Sequence, residues 1–190
     1  MSVVRDRPPP EVPTWNVLVT SIEGERETLR SALRPLARFR RGGYPNVLVA
    51  TVDDRAAFLS SLAGAMETSE ALRRALGKVV PIDRTLRFAE PASFVDRVSD
   101  ALRADVDRLA GATFFVRVSR RGFRHALGST EAEREIGARL VDALTARGET
   151  PHVRFADPDV VVAIETLRDE VGIALLPRAL RQAYPFVRVR

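Results

Sequence analysis

The chain has 190 residues, 45% of them hydrophobic and 29% charged, with 30 Lys and Arg against 25 Asp and Glu for a formal charge of +5. With no Cys in the sequence, disulfides, thiolate metal sites and cysteine nucleophiles are excluded. No apolar run nears the roughly 20 residues that a bilayer helix needs, and the first residues lead into prolines instead of an apolar signal core, so a cytoplasmic protein without membrane attachment is expected.

In chain order, Pro8, Pro9, Pro10 and Pro13 mark a disordered tail over residues 1–13. Residues 15–20 alternate apolar positions in a β-branched run and predict a strand. Residues 25–38 predict a helix with Leu29, Leu33, Leu36 and Ala37 on one stripe, closed by Gly42 and Gly43. A second strand follows over 46–52. Asp53 or Asp54 then caps a helix bearing Phe58, Leu62 and Met66, and a shorter helix spans 69–76. Residues 78–88 read as one strand interrupted by Pro81.

In the second half, Ser93 opens a helix with Phe94, Val98, Leu102, Val106 and Leu109 in register, ending at Gly111. Its Asp96, Asp100, Asp105 and Asp107 against Arg97, Arg103 and Arg108 suggest a neutral solvated face. Residues 113–119 give the clearest strand signal. Thr130 and Glu133 have the spacing of a capping box, opening a helix that carries Ile136, Leu140, Val141 and Leu144 and stops at Gly148. Residues 160–164 and 171–176 flank the charged turn Arg168-Asp169-Glu170 and predict a hairpin. Residues 186–190 alternate as an edge strand would. The pattern is α/β (α+β), two small units each with one sheet and helices on a face, with a boundary near Ala89.

Lys78 is the only lysine, so every other basic residue among the 30 is arginine. A GC-rich genome accounts for much of that bias. It does not account for the removal of acids from three segments. Between Glu27 and Asp53 lie Arg30, Arg34, Arg38, Arg40 and Arg41, the first three at i, i+4 and i+8 with no local partner. From Gly111 to Thr130 lie Arg117, Arg120, Arg121 and Arg124. After Glu170 come Arg178, Arg181, Arg188 and Arg190. These arginines either meet acids from elsewhere in the fold or form a phosphate-binding surface, for which the planar guanidinium suits bidentate contacts.

The run 113–122 (Thr-Phe-Phe-Val-Arg-Val-Ser-Arg-Arg-Gly), then His125, residues 129–137 (Ser-Thr-Glu-Ala-Glu-Arg-Glu-Ile-Gly) and Asp157-Pro158-Asp159-Val160-Val161-Val162 resemble the THUMP domain of tRNA-modifying enzymes. The resemblance covers about Pro91 to Leu176. The preceding unit resembles the ferredoxin-like domain that accompanies THUMP, and Val79-Val80-Pro81-Ile82 followed by Thr85 is similar to the strand before THUMP in stand-alone proteins that assist tRNA cytidine acetylation. The implied organisation is a tail over 1–13, a ferredoxin-like domain over 14–89 and a THUMP-like RNA-binding domain over 90–190. The implied function is non-catalytic binding of the tRNA acceptor stem and 3′ end, with tRNA presented to a modifying enzyme supplied in trans.

No phosphate loop, dinucleotide motif or nucleophile elbow occurs, and His125 and His152 lack further ligands at metal spacing. Neither enzyme activity nor a metal or other cofactor is expected, and the 14 residues after Leu176 are too few for a catalytic domain. Glu131, Glu133 and Glu135 read as favourable charge at a helix N-terminus. The expected RNA contacts are Arg117, Arg120, Arg121, Arg124 and His125, joined by Arg134, Arg139 and Arg154 and extended by Arg30, Arg34, Arg38, Arg40 and Arg41. Phe123 and Tyr44 are either base-stacking or packing residues. Two alternatives remain open: a protein-docking adaptor using the apolar segment 183–187 as an added strand, and a small acylphosphatase-like hydrolase, whose characteristic Arg loop with a paired Asn is absent.

Overall fold

The computed structural model describes residues 15–88, 90–122 and 128–189. The tail, Phe123, Arg124, His125, the expected boundary residue Ala89 and Arg190 lie outside the described residues. The chain forms a mixed α/β fold with two sheets.

The first sheet contains β1 (Val17–Ser21), β2 (Arg40–Arg41), β3 (Val47–Ala50) and β4 (Leu76–Pro81), in the order β2-β3-β1-β4 and antiparallel throughout. Helices α1 (Arg26–Leu33), α2 (Arg55–Thr68) and α3 (Glu70–Ala75) accompany it. The side chain of Asp54 caps α2, accepting from the amides of Ala56 at 2.8 Å and Ala57 at 3.0 Å. Ser69 caps α3 through the Leu72 amide at 3.2 Å. Helix α1 stops five residues short of the expected Arg38, because Pro35 has no amide for the next helical hydrogen bond. Leu36 and Ala37 still pack against the core.

The second sheet contains β5 (Arg84–Arg87), β6 (Thr113–Ser119), β7 (His152–Val153), β8 (Val160–Leu167) and β9 (Glu170–Pro177), in the order β5-β9-β8-β6-β7. Strand β6 runs parallel to β7 and β8, and β8 and β9 form the expected hairpin, antiparallel over all eight residues of each. The single strand expected over 78–88 is instead two strands in different sheets. Successive amides make the transfer, Ile82 donating to the Asn16 carbonyl at 2.8 Å and Asp83 to the Ile173 carbonyl at 2.8 Å.

Helices α4 (Phe94–Leu102) and α5 (Ser129–Thr145) cover one face of this sheet, and α6 (Arg178–Ala183) follows β9. The helix expected to reach Gly111 is α-helical only to Leu102 and continues as a 3-10 segment over Arg103–Leu109. Asp105 there is buried and bonded to Arg84 at 2.5 Å and Arg108 at 3.2 Å, so it departs from the expected solvated face, on which Asp96, Arg97, Asp100, Arg103, Asp107 and Arg108 are exposed. The expected capping box is not formed: α5 begins at Ser129 after Gly128 with no side-chain cap. Glu133 instead accepts from the Val118 amide of β6 at 2.9 Å and pairs with Arg117 at 3.3 Å.

Two apolar clusters fill the molecule. The first joins Leu29, Leu33, Leu62 and Leu72 through the first sheet to Phe115, Val161, Ala163, Ala174 and Leu176 on one face of the second. The other lies between the opposite face (Phe114, Val116, Val118, Val160, Val162, Ile164) and α4 and α5. Trp15, fully buried, reaches across so closely that a Cβ on Gly172 would stand 2.4 Å from its ring.

Inside the joint sits an ion cluster. Lys78 Nζ donates to Glu165 Oε1 at 2.7 Å, to Ser119 Oγ at 3.3 Å and to the Val189 carbonyl at 3.3 Å. The other Glu165 oxygen accepts from Arg121 at 2.5 Å, and Glu165 itself has no exposed surface. Three ammonium protons meet three acceptors on three chain segments, a pattern that suits a compact lysine head and not a planar fork. The C-terminal segment closes the β4 edge: Val79 donates to the Phe186 carbonyl at 2.8 Å, and Val187 forms an isolated parallel bridge with Val79. The apolar segment weighed as a strand for a partner is therefore occupied within its own chain.

Candidate nucleic-acid interface

The three arginine-rich segments meet different fates. In the first, Arg30, Arg34 and Arg38 line a cavity of about 590 Å³ with Ser31, Ala37 and Phe39, gathered by the turn that replaces the last helical turn. Arg30 does have a local partner, Glu27 at 2.8 Å, which also takes Arg26 at 3.2 Å and Arg41 at 3.1 Å. Arg34, Arg38 and Arg40 are exposed and make no side-chain hydrogen bond or ion pair with the described residues.

In the second segment, the Arg121 guanidinium points inward to Glu165, while its amide donates to Thr166 Oγ1 at 2.7 Å. Its side chain is only 16% exposed, which makes it part of the buried cluster. Arg117 lies over the Phe115 ring at 5.4 Å and shares Glu133 with the β6 main chain. Arg120 is half-buried at the strand end.

The third segment meets acids and carbonyls from elsewhere in the fold. Arg178 pairs with Asp157 at 3.2 Å and Asp159 at 3.0 Å, Arg181 donates to the Pro158 and Leu176 carbonyls, and Arg188 to the Gly77 carbonyl at 2.7 Å. Asp159 in turn accepts from the Thr113 hydroxyl at 2.6 Å and amide at 2.8 Å. These bonds, the hydroxyl's first and then the amide's, hold its carboxyl below the usual aspartate value. On α5, Arg139 bridges Asp96 at 2.6 Å and Glu135 at 2.7 Å, and those bonds, Asp96 foremost, raise its guanidinium above its ordinary value. Arg134 is exposed and without a partner among the described residues. Arg154 is exposed, with its amide on the Phe114 carbonyl at 2.9 Å.

The first two segments converge at the rim of the joint. Gly122, at φ +96°, sits where a Cβ would be 2.8 Å from the Tyr44 hydroxyl. A Cβ on Gly43 would be 3.2 Å from Arg168 Nε. The β2–β3 loop of one sheet, the turn after β6 and the β8–β9 tip of the other therefore touch at Arg168, and Arg40 and Arg120 lie a few residues along the chain from that contact. Tyr44 is half-buried there as a packing residue. Arg168, held at φ 56° and exposed with no partner among the described residues, was invisible in the sequence because it reads as an ordinary turn charge beside Asp169. Phe155 was missed too, although it is 76% exposed and follows Arg154 directly. His152 is exposed on β7, and among the described residues no group of three His, Cys, Asp or Glu side chains is placed to hold a metal.

Two docked sheets, one with a parallel strand-helix-strand core, and the exposed guanidinium groups of Arg40 and Arg168 near their contact define the class as a two-sheet α/β protein with a basic face. Residues 95–176 match the family model of the THUMP domain, and the chain carries a THUMP domain there. Over 121 residues, 63% of this chain, it is 34% identical to the tRNA sulfurtransferase of Haemophilus influenzae strain PittEE, matching 24% of that protein. Over 104 residues, 53% of this chain, it is 36% identical to the tRNA sulfurtransferase of Citrobacter koseri, matching 20% of it. The chain thus spans about a quarter or less of the length of the curated relatives it matches. Among solved structures, TrmN of Thermus thermophilus superimposes with a TM-score of 0.56 at 21% identity, over 84% of this chain and 44% of that one. A 4-thiouridine synthetase in complex with RNA and ATP gives 0.52 at 16% identity, over 85% of this chain and 41% of that one. These likenesses show a shared fold.

Proposed function

We propose that this chain binds tRNA, gripping the acceptor stem and 3′ end, and presents it to a modifying enzyme supplied in trans, with no chemistry of its own. The observation that carries the reading is the contact of Gly43 and Gly122 with Arg168, which joins the two sheets of a THUMP-containing fold and has Arg40 and Arg120 in the flanking segments. Its relatives among tRNA sulfurtransferases support tRNA as the partner. Guanidinium groups distributed over both sheets suit A-form RNA, which is recognised mainly through shape, phosphates and 2′-hydroxyls.

The test is tRNA binding across a salt series. About four neutralised phosphates give a logarithmic slope near −3, or a loss on the order of 50-fold to 100-fold between 50 and 200 mM salt. The double variant Arg40→Ala, Arg168→Ala should flatten that slope by about two and weaken all tRNAs alike. Absent or salt-insensitive binding refutes the proposal. The trans role is checked by adding the chain to a tRNA cytidine acetyltransferase, whose kcat/KM for tRNA should rise.

A further inference from the structure

A second feature on the THUMP domain has a chemistry the phosphate contacts do not use. Helix α5 and the β6–β7 edge enclose an apolar groove of about 400 Å³, lined by Gly137 and Ala138 of α5 and by Phe114, Phe115, Val116 and Val153, within the range of small-ligand pockets. Phe155 also lines it, its ring 5.9 Å from that of Phe115, and the Arg117 guanidinium lies 5.4 Å from the Phe115 ring centre. Every other described phenylalanine is buried or half-buried, whereas Phe155 is 76% exposed.

The charge around the groove is one-sided. Its one acid, Glu133, is consumed by Arg117 and the Val118 amide, while Arg134 on the rim is exposed and unpartnered among the described residues. An exposed aromatic beside a cation fits a ligand that combines a flat π face with an adjacent negative charge. From this we infer that the groove receives an unstacked nucleobase of the bound RNA, stacked on Phe155, with Arg134 on a flanking phosphate. The inference rests on the RNA-binding reading above and assigns to it a base-holding site distinct from the phosphate-facing junction. Stacking of this kind tolerates every base, because each has a π face, so the groove adds affinity for unpaired nucleotides without reading sequence.

The experiment compares binding of an oligoadenylate hexanucleotide with that of an abasic sugar-phosphate hexamer of equal charge, with whole tRNA as reference. The wild-type chain should prefer the base-bearing hexamer by about tenfold. F155A, at an exposed position that leaves the fold intact, should abolish that preference while keeping abasic binding. F155W should restore it, and the emission of that variant should be quenched by oligoadenylate and not by the abasic hexamer, against the constant background of buried Trp15. R134A should weaken both hexamers equally. A base preference that survives F155A overturns the inference, and so does an emission blue shift of F155W on concentrating the protein alone, which would mean that the groove takes an apolar side chain of a second copy. If wild type binds tRNA yet shows no base preference, only this inference fails; if it binds no RNA, the functional proposal fails with it.

Discussion

Replacing Lys78 with Met keeps most of the stem and removes the ammonium. Glu165, with no exposed surface, then keeps Arg121 but loses its 2.7 Å partner, and Ser119 and the Val189 carbonyl lose their donor. Breaking a buried ion pair by removing one member costs about 3–5 kcal/mol, and the surviving Arg121 bond places this case near the lower end, about 3 kcal/mol. For a chain of this length that is a fall in Tm of roughly 6–12 °C. Urea unfolding followed by far-UV circular dichroism measures it. Lys78→Arg should not restore the loss, because the planar guanidinium does not reproduce three divergent bonds. Adding Glu165→Gln to Lys78→Met should cost less than the sum of the two single changes, by at least about 1 kcal/mol, as expected for contacting groups. A Lys78→Met protein within about 1 kcal/mol of wild type, or strict additivity in the pair, would refute a role for the cluster in holding the sheets together.

Gly172→Val should clash with Trp15, whose ring lies 2.4 Å from the position of the new Cβ; a loss of about 3 kcal/mol or more is expected from overpacking, with a red-shifted Trp15 emission as the second readout. Asp54→Ala removes the acceptor for two amides at the start of α2 and should cost about 1 kcal/mol in urea unfolding. Because the Asp159 carboxyl is held below its ordinary value in the folded chain, its contribution is complete above the unfolded value near pH 4 and is lost as pH falls further. Asp159→Asn should therefore flatten the acid limb of the stability profile, and an unchanged limb would refute the assignment.

Local pattern made the strongest elements legible. Residues 113–119 form β6 as expected, the hairpin and the Asp54 cap appear where spacing and polarity place them, and the apolar stripes of α1, α4 and α5 mark their buried faces. What stayed hidden depends on partners distant in the chain. A β-branched run does not say which sheet each half will join, so the handover at Ile82 and Asp83 was not visible. Thr130 and Glu133 have capping-box spacing, yet the β6 amide claims the glutamate. Two-residue strands such as β2 and β7 carry no periodicity to read. Acid-free segments likewise show only local sequence: Arg121 finds a buried acid 44 positions away and Arg178 finds two across a turn, whereas Arg34, Arg38 and Arg40 stay unpaired among the described residues.

The family model begins at residue 95, whereas the edge strand β5 of the same sheet ends at Arg87, and the lysine that neutralises Glu165 is residue 78. The segment that recurs among proteins is therefore shorter than the segment that folds. Cut at the family boundary, the second sheet would present Phe115, Val161, Ala163, Ala174 and Leu176 to water, lose its β5 neighbour and leave a carboxylate dependent on Arg121 alone. A fragment cut there would need another sheet to cover that face and another cation to meet Glu165, so in this chain the unit that folds is the docked pair.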